Sequence, residues 1–341
     1  MKSQSHRLDR AAGRRRLRHN VSARYSIETS PLWGLKSTHR LAQLIGVSEA
    51  DLEQACTNPT FNCFIEQLKP NAKPGKEPRH IQEPIEETLK IHYRVVRLLD
   101  SIERPDFLHS AAKKRSHVTN ARAHLESGGA VVAMDIRRFF ESTTYLHVKA
   151  FFFRDLNCSH DVARLLARVC CAEGHLPTGS CISPLLSYFT HRLMFARIEA
   201  LCVAKDVTMT LYVDDLTLSG LHATKTMLHQ VKRIIKRQGL RTHPDKDALV
   251  QPGKAAIITG GVRVDGELRL RNKHHNAIVA MQDLIAGGEE GSFKKLRGQV
   301  ASARSVEPVA AIRLEARLDR ILRSEDGSPS GGMTKWRQSR L

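Results

Sequence analysis

Asp214 and Asp215 stand side by side in Tyr212-Val-Asp-Asp215, and Asp135 follows directly on the apolar run Ala130-Val-Val-Ala-Met134. Carboxylates gathered in one place repel each other, and two or three together are costly without a cation between them. Mg²⁺ suits such a site, because it takes a few carboxylates with phosphate oxygens and keeps water in its other positions. Two such ions activate a 3′- or 2′-hydroxyl and neutralise a leaving pyrophosphate, which is the chemistry of nucleotidyl transfer. An Asp-Asp pair in a turn is weak by itself, since Asp favours turns. The elements that carry the three residues therefore decide the matter.

Thr208-Met-Thr-Leu-Tyr212 alternates polar and apolar residues, meets Val213-Asp214-Asp215, and alternates again through Leu216-Thr-Leu-Ser219. This is the pattern of a hairpin with two carboxylates at its tip. Ala130 to Met134 reads as a short buried strand delivering Asp135 at its end, and if it lies beside the hairpin the carboxylates converge at one sheet edge. Helices are expected around this centre. Thr38 to Ala55 reads as two short helices broken at Gly46, with Ser48 starting the second. Lys69 to Pro78, with three prolines and a glycine, is an exposed basic loop leading to a strand around Arg79 to Gln82. A helix follows Pro84 to about Leu99, with Ile85, Leu89, His92, Val96 and Leu99 on one face. Ser159 caps a helix whose stripe is Val162, Leu165, Leu166, Val169 and Cys170. Ser183-Pro184 starts another that runs on through Leu185, Phe189, Leu193 and Ala196. The last third reads as three helices, 275–286, 293–306 and 309–323, with Leu314, Leu318, Ile321 and Leu322 on the inner face of the third.

The chain has 341 residues, 41% hydrophobic, enough to bury a real core in two or three lobes. Lys and Arg number 54 against 35 acids, a formal charge of +19, so a polyanion is the first partner to consider. Aromatic residues make up only 5%, which favours gripping phosphates over stacking bases. The seven cysteines include no CxxC pair, so neither a zinc ribbon nor a disulfide framework is supported and a reducing cytoplasm fits. Apolar runs such as Ala130 to Met134 fall far below the roughly 20 residues of a membrane helix. No secretory signal is read at the N-terminus, although a mitochondrial presequence shares its composition. Residues 1–24 carry eight Lys or Arg and one acid, a basic arm that is either a solvated tail or a grip on nucleic acid.

Tyr212-Val-Asp-Asp215, with Asp135-Ile-Arg-Arg-Phe-Phe140 upstream, resembles the two metal-binding motifs of reverse transcriptases. Leu176-Pro-Thr-Gly-Ser180 and Ile182-Ser-Pro184 resemble the family's loop and helix behind the templating base, with Thr178 where Gln is usual. Lys246 matches the lysine of the following motif, where His243 replaces the expected Asn. Within that family the chain resembles the retron enzymes most. Asn120-Ala-Arg-Ala-His124 fits their NAxxH pattern, Ile258-Thr-Gly260 their VTG triplet, and Leu296-Arg-Gly298 with Ser305-Val-Glu-Pro308 their thumb. The likeness runs over roughly residues 70–325 in the right order.

Carried over position by position, the resemblance makes Asp135, Asp214 and Asp215 the catalytic metal ligands, with the Ile136 backbone beside them. It makes Arg79 the fingers arginine that holds the incoming triphosphate, a role suited to a guanidinium fork. Phe140 matches the side chain that blocks a ribose 2′-OH, and Pro177, Gly179 and Lys246 are further nucleotide-binding positions. Asn120, His124, Thr259 and Gly260 are expected to bind RNA together with Lys294, Lys295, Arg297 and Arg304 of a basic thumb helix. Plainer readings exist: Phe140 as core packing, Arg79 as one more surface charge, His124 as a satisfied buried hydrogen bond, and the basic helix as a solvated face.

The implied fold is an α/β (α+β) right-hand polymerase with fingers and palm on a mixed sheet and a small helical thumb. Its expected segments are a basic arm (1–30), a helical N-terminal lobe (31–68), fingers and palm (69–272), a thumb (273–325) and a flexible tail (326–341). The resemblance implies RNA-directed DNA synthesis with two Mg²⁺ and deoxynucleoside triphosphates. The template would be a cognate structured non-coding RNA, primed from its own 2′-hydroxyl, and the product a small RNA-linked DNA. It further implies antiphage defence with a separate effector protein in the bacterial cytoplasm, with no membrane partner. A group II intron-like reverse transcriptase and a non-catalytic RNA-binding scaffold on a polymerase fold are the alternatives.

Overall fold

The computed structural model describes residues 25–67, 78–287 and 292–322. The basic arm 1–24, most of the proline-rich loop (68–77) and the tail from 323 onward lie outside the described residues.

Two short helices, Thr38–Ile45 and Glu49–Thr57, open the fold as the sequence predicts. Gly46 ends the first at φ 75, a left-handed conformation that glycine adopts without penalty. Ser48 starts the second by accepting from the Asp51 N–H at 3.0 Å. The hairpin of β1 (Phe61–Ile65) and β2 (His80–Pro84) follows. The helix Glu86–Asp100 turns inward Thr88, Ile91, His92, Val95 and Leu99, not the expected line through Ile85, Leu89 and Val96. Ile85 is still extended at the helix start and lies exposed. His92 fixes the rotation, because its ring bonds Ser180 Oγ and the Val169 carbonyl, each at 2.6 Å.

The helix His160–Cys170 is built as expected, with Ser159 accepting from the Val162 N–H and Val162, Leu165, Leu166, Val169 and Cys170 all buried. Burying each such aliphatic side chain contributes roughly 1.5–3 kcal/mol. The helix after Cys181 departs from expectation in two ways. Ser183 is not its cap; Ile182 takes that position, and Ser183 Oγ donates to the Pro177 carbonyl at 2.6 Å. The helix also stops at Thr190, and buried His191 bonds Thr143 before a new helix, Arg192–Val203, begins. That break rotates Leu193 and Ala196 outward and brings Met194, Phe195, Ile198 and Cys202 into the core.

The central sheet contains β3 (Ala130–Asp135), β4 (Thr208–Tyr212), β5 (Asp215–Gly220) and β6 (Ala248–Val250), in the order β4-β5-β3-β6. A second, three-stranded sheet is formed by β7 (Ala256–Ile258), β8 (Gly261–Val264) and β9 (Glu267–Leu270). The α/β class holds; all the named strand pairs are antiparallel, and a parallel bridge from Leu108 to Leu211 of β4 adds the one mixed element to the central sheet among the described residues. In the central sheet β4 and β5 are joined by a tight turn, while the links from β3 to β4 and from β5 to β6 run through helices.

The C-terminal helices Asn272–Ala286, Phe293–Val306 and Pro308–Ile321 match the three expected and share a hydrophobic cluster with β7 and β9. Leu314, Leu318 and Leu322 face inward, while Ile321 is only half-buried. Glu307, at the joint between the last two, accepts from the Leu270 N–H at 2.7 Å and from Arg269 at 3.0 Å, so this helical unit is tied to β9. Among the described residues no helix is long and apolar enough to cross a membrane.

Buried histidines give the fold a defined acid response. Burial pushes His92 down to about 4, and His124 and His191 down to about 3. All three are neutral in the folded chain, whereas an unfolded histidine titrates near ~6.5. Below that pH the unfolded chain binds more protons, so stability is full above about pH 6.5 and falls as pH drops toward 4. Each histidine adds up to about 1.4 kcal/mol per pH unit to the slope. Urea midpoints across this range check the prediction, and a flat profile would contradict it.

Candidate active site

The three carboxylates converge as the strand pattern requires. β3 pairs with β5 so that Asp135 lies opposite Asp215, and Val213 and Asp214 form the turn between β4 and β5. Val213 sits at φ 60, which is strained for a β-branched residue. The turn is held from the other side by the Ile136 N–H, which donates to the Asp214 carbonyl at 3.0 Å. One oxygen from each of Asp135, Asp214 and Asp215 falls within 4.8 Å of the others. Burial, then Asp135 and Asp215, push the Asp214 carboxyl up to about 6; burial and then Asp135 raise Asp215. These are the electrostatics of a cluster whose charge calls for a cation.

A cationic side chain already leans into it. Lys246 Nζ lies 2.6 Å from Asp135 Oδ2, delivered by the short turn Pro244–Lys246, and the His243 N–H donates to the Asp135 carbonyl at 2.8 Å. The sequence reading missed Asp247, whose Oδ2 accepts from Thr242 at 2.8 Å and from Lys232 at 2.5 Å and so fixes the base of that turn. Its only signal was its position next to Lys246.

The loop 176–183 is anchored on β2. Thr178 Oγ1 donates to the His80 carbonyl at 2.5 Å, and the Gly179 N–H donates to the Gln82 carbonyl at 3.2 Å. A Cβ at Gly179 would lie 2.7 Å from Glu83 Cγ and 2.8 Å from the Gln82 carbonyl oxygen, so only glycine fits this approach. Pro177 is buried. Buried Gln82, also missed from sequence, donates to Glu173 at 2.9 Å and accepts from the Thr178 N–H at 3.4 Å. Thr178 thus serves as a strap to β2. Arg79 precedes β2 and is exposed. Phe140 is half-buried, its ring stacked 6.3 Å from that of buried Phe139, so it packs against the core.

The residues expected to bind RNA divide into two groups. Asn120 and His124 are completely buried, and their side chains bond protein groups. His124 bonds Ser219 Oγ at 2.6 Å and Thr210 Oγ1 at 2.7 Å, clamping β4 and β5 behind the carboxylates. Asn120 donates to Thr259 at 3.2 Å, and Thr259 donates to the His117 carbonyl at 2.8 Å, so the 258–260 segment is docked on the helix His117–Arg122. Thr259 and Gly260 are half-buried. Lys294, Lys295 and Arg297 are exposed on the helix Phe293–Val306. Arg304 is exposed too, but its guanidinium is engaged by both Glu315 oxygens at 2.5 Å.

Compared with curated proteins, the chain is a homologue of the reverse transcriptases. More particularly, its relatives are those of retrons. The Retron Ec86 reverse transcriptase of Escherichia coli is 25% identical over 259 residues, 75% of this chain and 80% of that protein. The Retron Mx162 reverse transcriptase of Myxococcus xanthus is 25% identical over 264 residues, 65% of this chain and 53% of the relative. The Retron Mx65 reverse transcriptase of the same organism is 27% identical over 231 residues, 61% and 53% of the two chains. The chain thus spans about half the length of the two Myxococcus relatives. No protein-family model matches. Among solved structures, a chain of an RdRp complex overlays with a TM-score of 0.41 at 11% identity, covering 69% of this chain and 25% of that one.

Proposed function

We propose that the chain is the RNA-directed DNA polymerase of a retron, copying part of a structured non-coding RNA into a small DNA joined to that RNA. The observation that carries this reading is the convergence of Asp135, Asp214 and Asp215 at one sheet edge, in a homologue of retron reverse transcriptases. The donor set fits magnesium, being all carboxylate oxygen and close together. Bound Mg²⁺ would supply Lewis-acid activation of the attacking hydroxyl and charge neutralisation at the leaving pyrophosphate. The chain's own residues do the positioning. Lys246 is paired with Asp135 beside the cluster and would be placed to meet the charge of a triphosphate there. Arg79 offers a guanidinium at the entrance, and the strap from Thr178 to β2 keeps it in register with the loop 176–183. In this reading the hairpin β1–β2 belongs to the fingers, the sheet β4-β5-β3-β6 is the palm, and the C-terminal helices form the thumb.

Phe140 is read as the sugar gate. Phe140→Ala should raise ribonucleotide relative to deoxynucleotide incorporation by tenfold or more, an effect of about 1.4 kcal/mol on the ratio. Competition between the two nucleotide kinds in a primer-extension assay measures it. Unchanged discrimination would leave Phe140 as packing alone.

The priming hydroxyl is an RNA 2′-OH, and the RNA–DNA product serves antiphage defence with a separate effector protein in the bacterial cytoplasm. Sequencing the nucleic acid that copurifies with the protein tests this. An RNA–DNA hybrid encoded beside the gene is expected; unrelated cellular transcripts alone would contradict the retron reading while leaving polymerase activity to be judged separately.

A further inference from the structure

Away from the carboxylates, Cys63, His80 and Glu173 bring a thiol, an imidazole and a carboxylate together, with one ligand atom of each within 4.8 Å of the others. The fold makes the meeting specific. In the β1–β2 hairpin Cys63 lies opposite Gln82 and Ile65 opposite His80, so Cys63 and His80 are diagonal neighbours on one face. Glu173 comes from the turn between the helix His160–Cys170 and the loop 176–183, closed by the paired backbone bonds of Ala172 and His175 at 2.9 and 3.0 Å. His80 Nδ1 and Glu173 Oε2 are 3.6 Å apart. That is long for a hydrogen bond. It is close to the edge, about 3.4 Å, of a tetrahedron whose nitrogen and oxygen ligands sit about 2.0–2.2 Å from zinc. Gln82, itself buried, donates to the same Glu173 Oε2 at 2.9 Å and so fixes the position of that oxygen, as outer-shell partners of metal ligands do. All three ligands are exposed, leaving access for an ion and for water in a fourth position.

We propose that Cys63, His80 and Glu173 form a second metal site, selective for Zn²⁺ over Mg²⁺ because its donors are thiolate and imidazole as well as carboxylate. The ion clips the hairpin β1–β2 to the turn at Glu173. His80 also receives Thr178 on its carbonyl, so the clip stiffens the contact between β2 and the loop 176–183, next to Arg79. The site stands independently of the polymerase reading.

The test uses the full chain, stripped with chelator and titrated with Co²⁺ in excess Mg²⁺, so that the carboxylate cluster is held by the harder ion. One equivalent of Co²⁺ should give a thiolate-to-metal charge-transfer band that Zn²⁺ displaces. Cys63→Ser should abolish the band, and His80→Ala and Glu173→Gln should each weaken binding tenfold or more. In the wild-type protein, Zn²⁺ should shield Cys63 from alkylation while the exposed Cys181 stays reactive, read by mass spectrometry. That measurement decides the matter even if a variant fails to fold. Absence of the band, a band that survives Cys63→Ser, unshielded Cys63, or binding lost in Asp214→Asn but kept in Cys63→Ser would each overturn the site.

Discussion

Asp214→Asn and Asp215→Asn should each lower deoxynucleotide incorporation by about three orders of magnitude or more, some 4 kcal/mol of transition-state stabilisation, with RNA affinity changed no more than a few-fold. The amide keeps the shape of the carboxyl and removes its charge, and in the proposed reading the cation would be held at this site by charge. In the proposed reading RNA is retained elsewhere, by a field of 54 basic against 35 acidic residues spread over the chain. The electrostatics also separate lost chemistry from lost folding. Asp214 is held at about 6 in the fold against an ordinary 3.8. Without metal, its ionisation therefore costs the folded state, a cost absent at low pH that grows as pH rises from about 4 to 6. At neutral pH in the absence of divalent ions, Asp214→Asn should melt at or above the wild-type temperature. An inactive variant that melts lower would point to structural damage, and a variant that keeps polymerase activity would remove the site.

The carboxylate cluster was legible in sequence because a strand has a period of two and a hairpin a short turn. Once Thr208–Tyr212 and Leu216–Ser219 are read as partners, Asp214 and Asp215 must sit at the tip, and the run ending at Met134 needs only one neighbour choice to bring Asp135 beside them. Helices with a cap and a full apolar stripe, such as His160–Cys170, were equally legible. What pattern cannot supply is the identity of whatever covers a face. Thr210, Thr217 and Ser219, three polar members of the alternating strands, are buried, and two of them are satisfied by His124 from a distant helical turn. The same long-range pairing explains His92, which rotates its helix toward Ser180 and Val169. The break at His191 was invisible for a like reason: its buried partner Thr143 is far away in the chain, and no glycine or proline marks the stop. Gln82 and Asp247 are polar residues whose importance lies wholly in whom they meet.

Priming gives the second large effect and bears on the retron reading alone. A polymerase that extends any 3′ end needs only a groove for a duplex, whereas one that begins on an internal ribose must hold a single folded RNA in register. RNA of that kind is read through its shape, phosphates and 2′-hydroxyls. Lys294, Lys295 and Arg297 stand exposed on one helix of the C-terminal unit, which is itself tied to β9 through Glu307. Given its adjacent transcript, Mg²⁺ and deoxynucleotides but no oligonucleotide primer, the enzyme should make DNA joined to RNA by a 2′–5′ branch. The join should survive denaturing electrophoresis and yield to a debranching enzyme. Reversing Lys294, Lys295 and Arg297 to Glu should cut this initiation by about a hundredfold and lower the log–log salt slope of RNA binding by about 2, at roughly 0.7 per lost phosphate contact. Extension of a preformed primer–template should fall far less, since the carboxylate cluster is untouched and a short duplex does not depend on the same helix. Unbranched product, or an equal fall in both reactions, would leave a reverse transcriptase without the retron mode of priming.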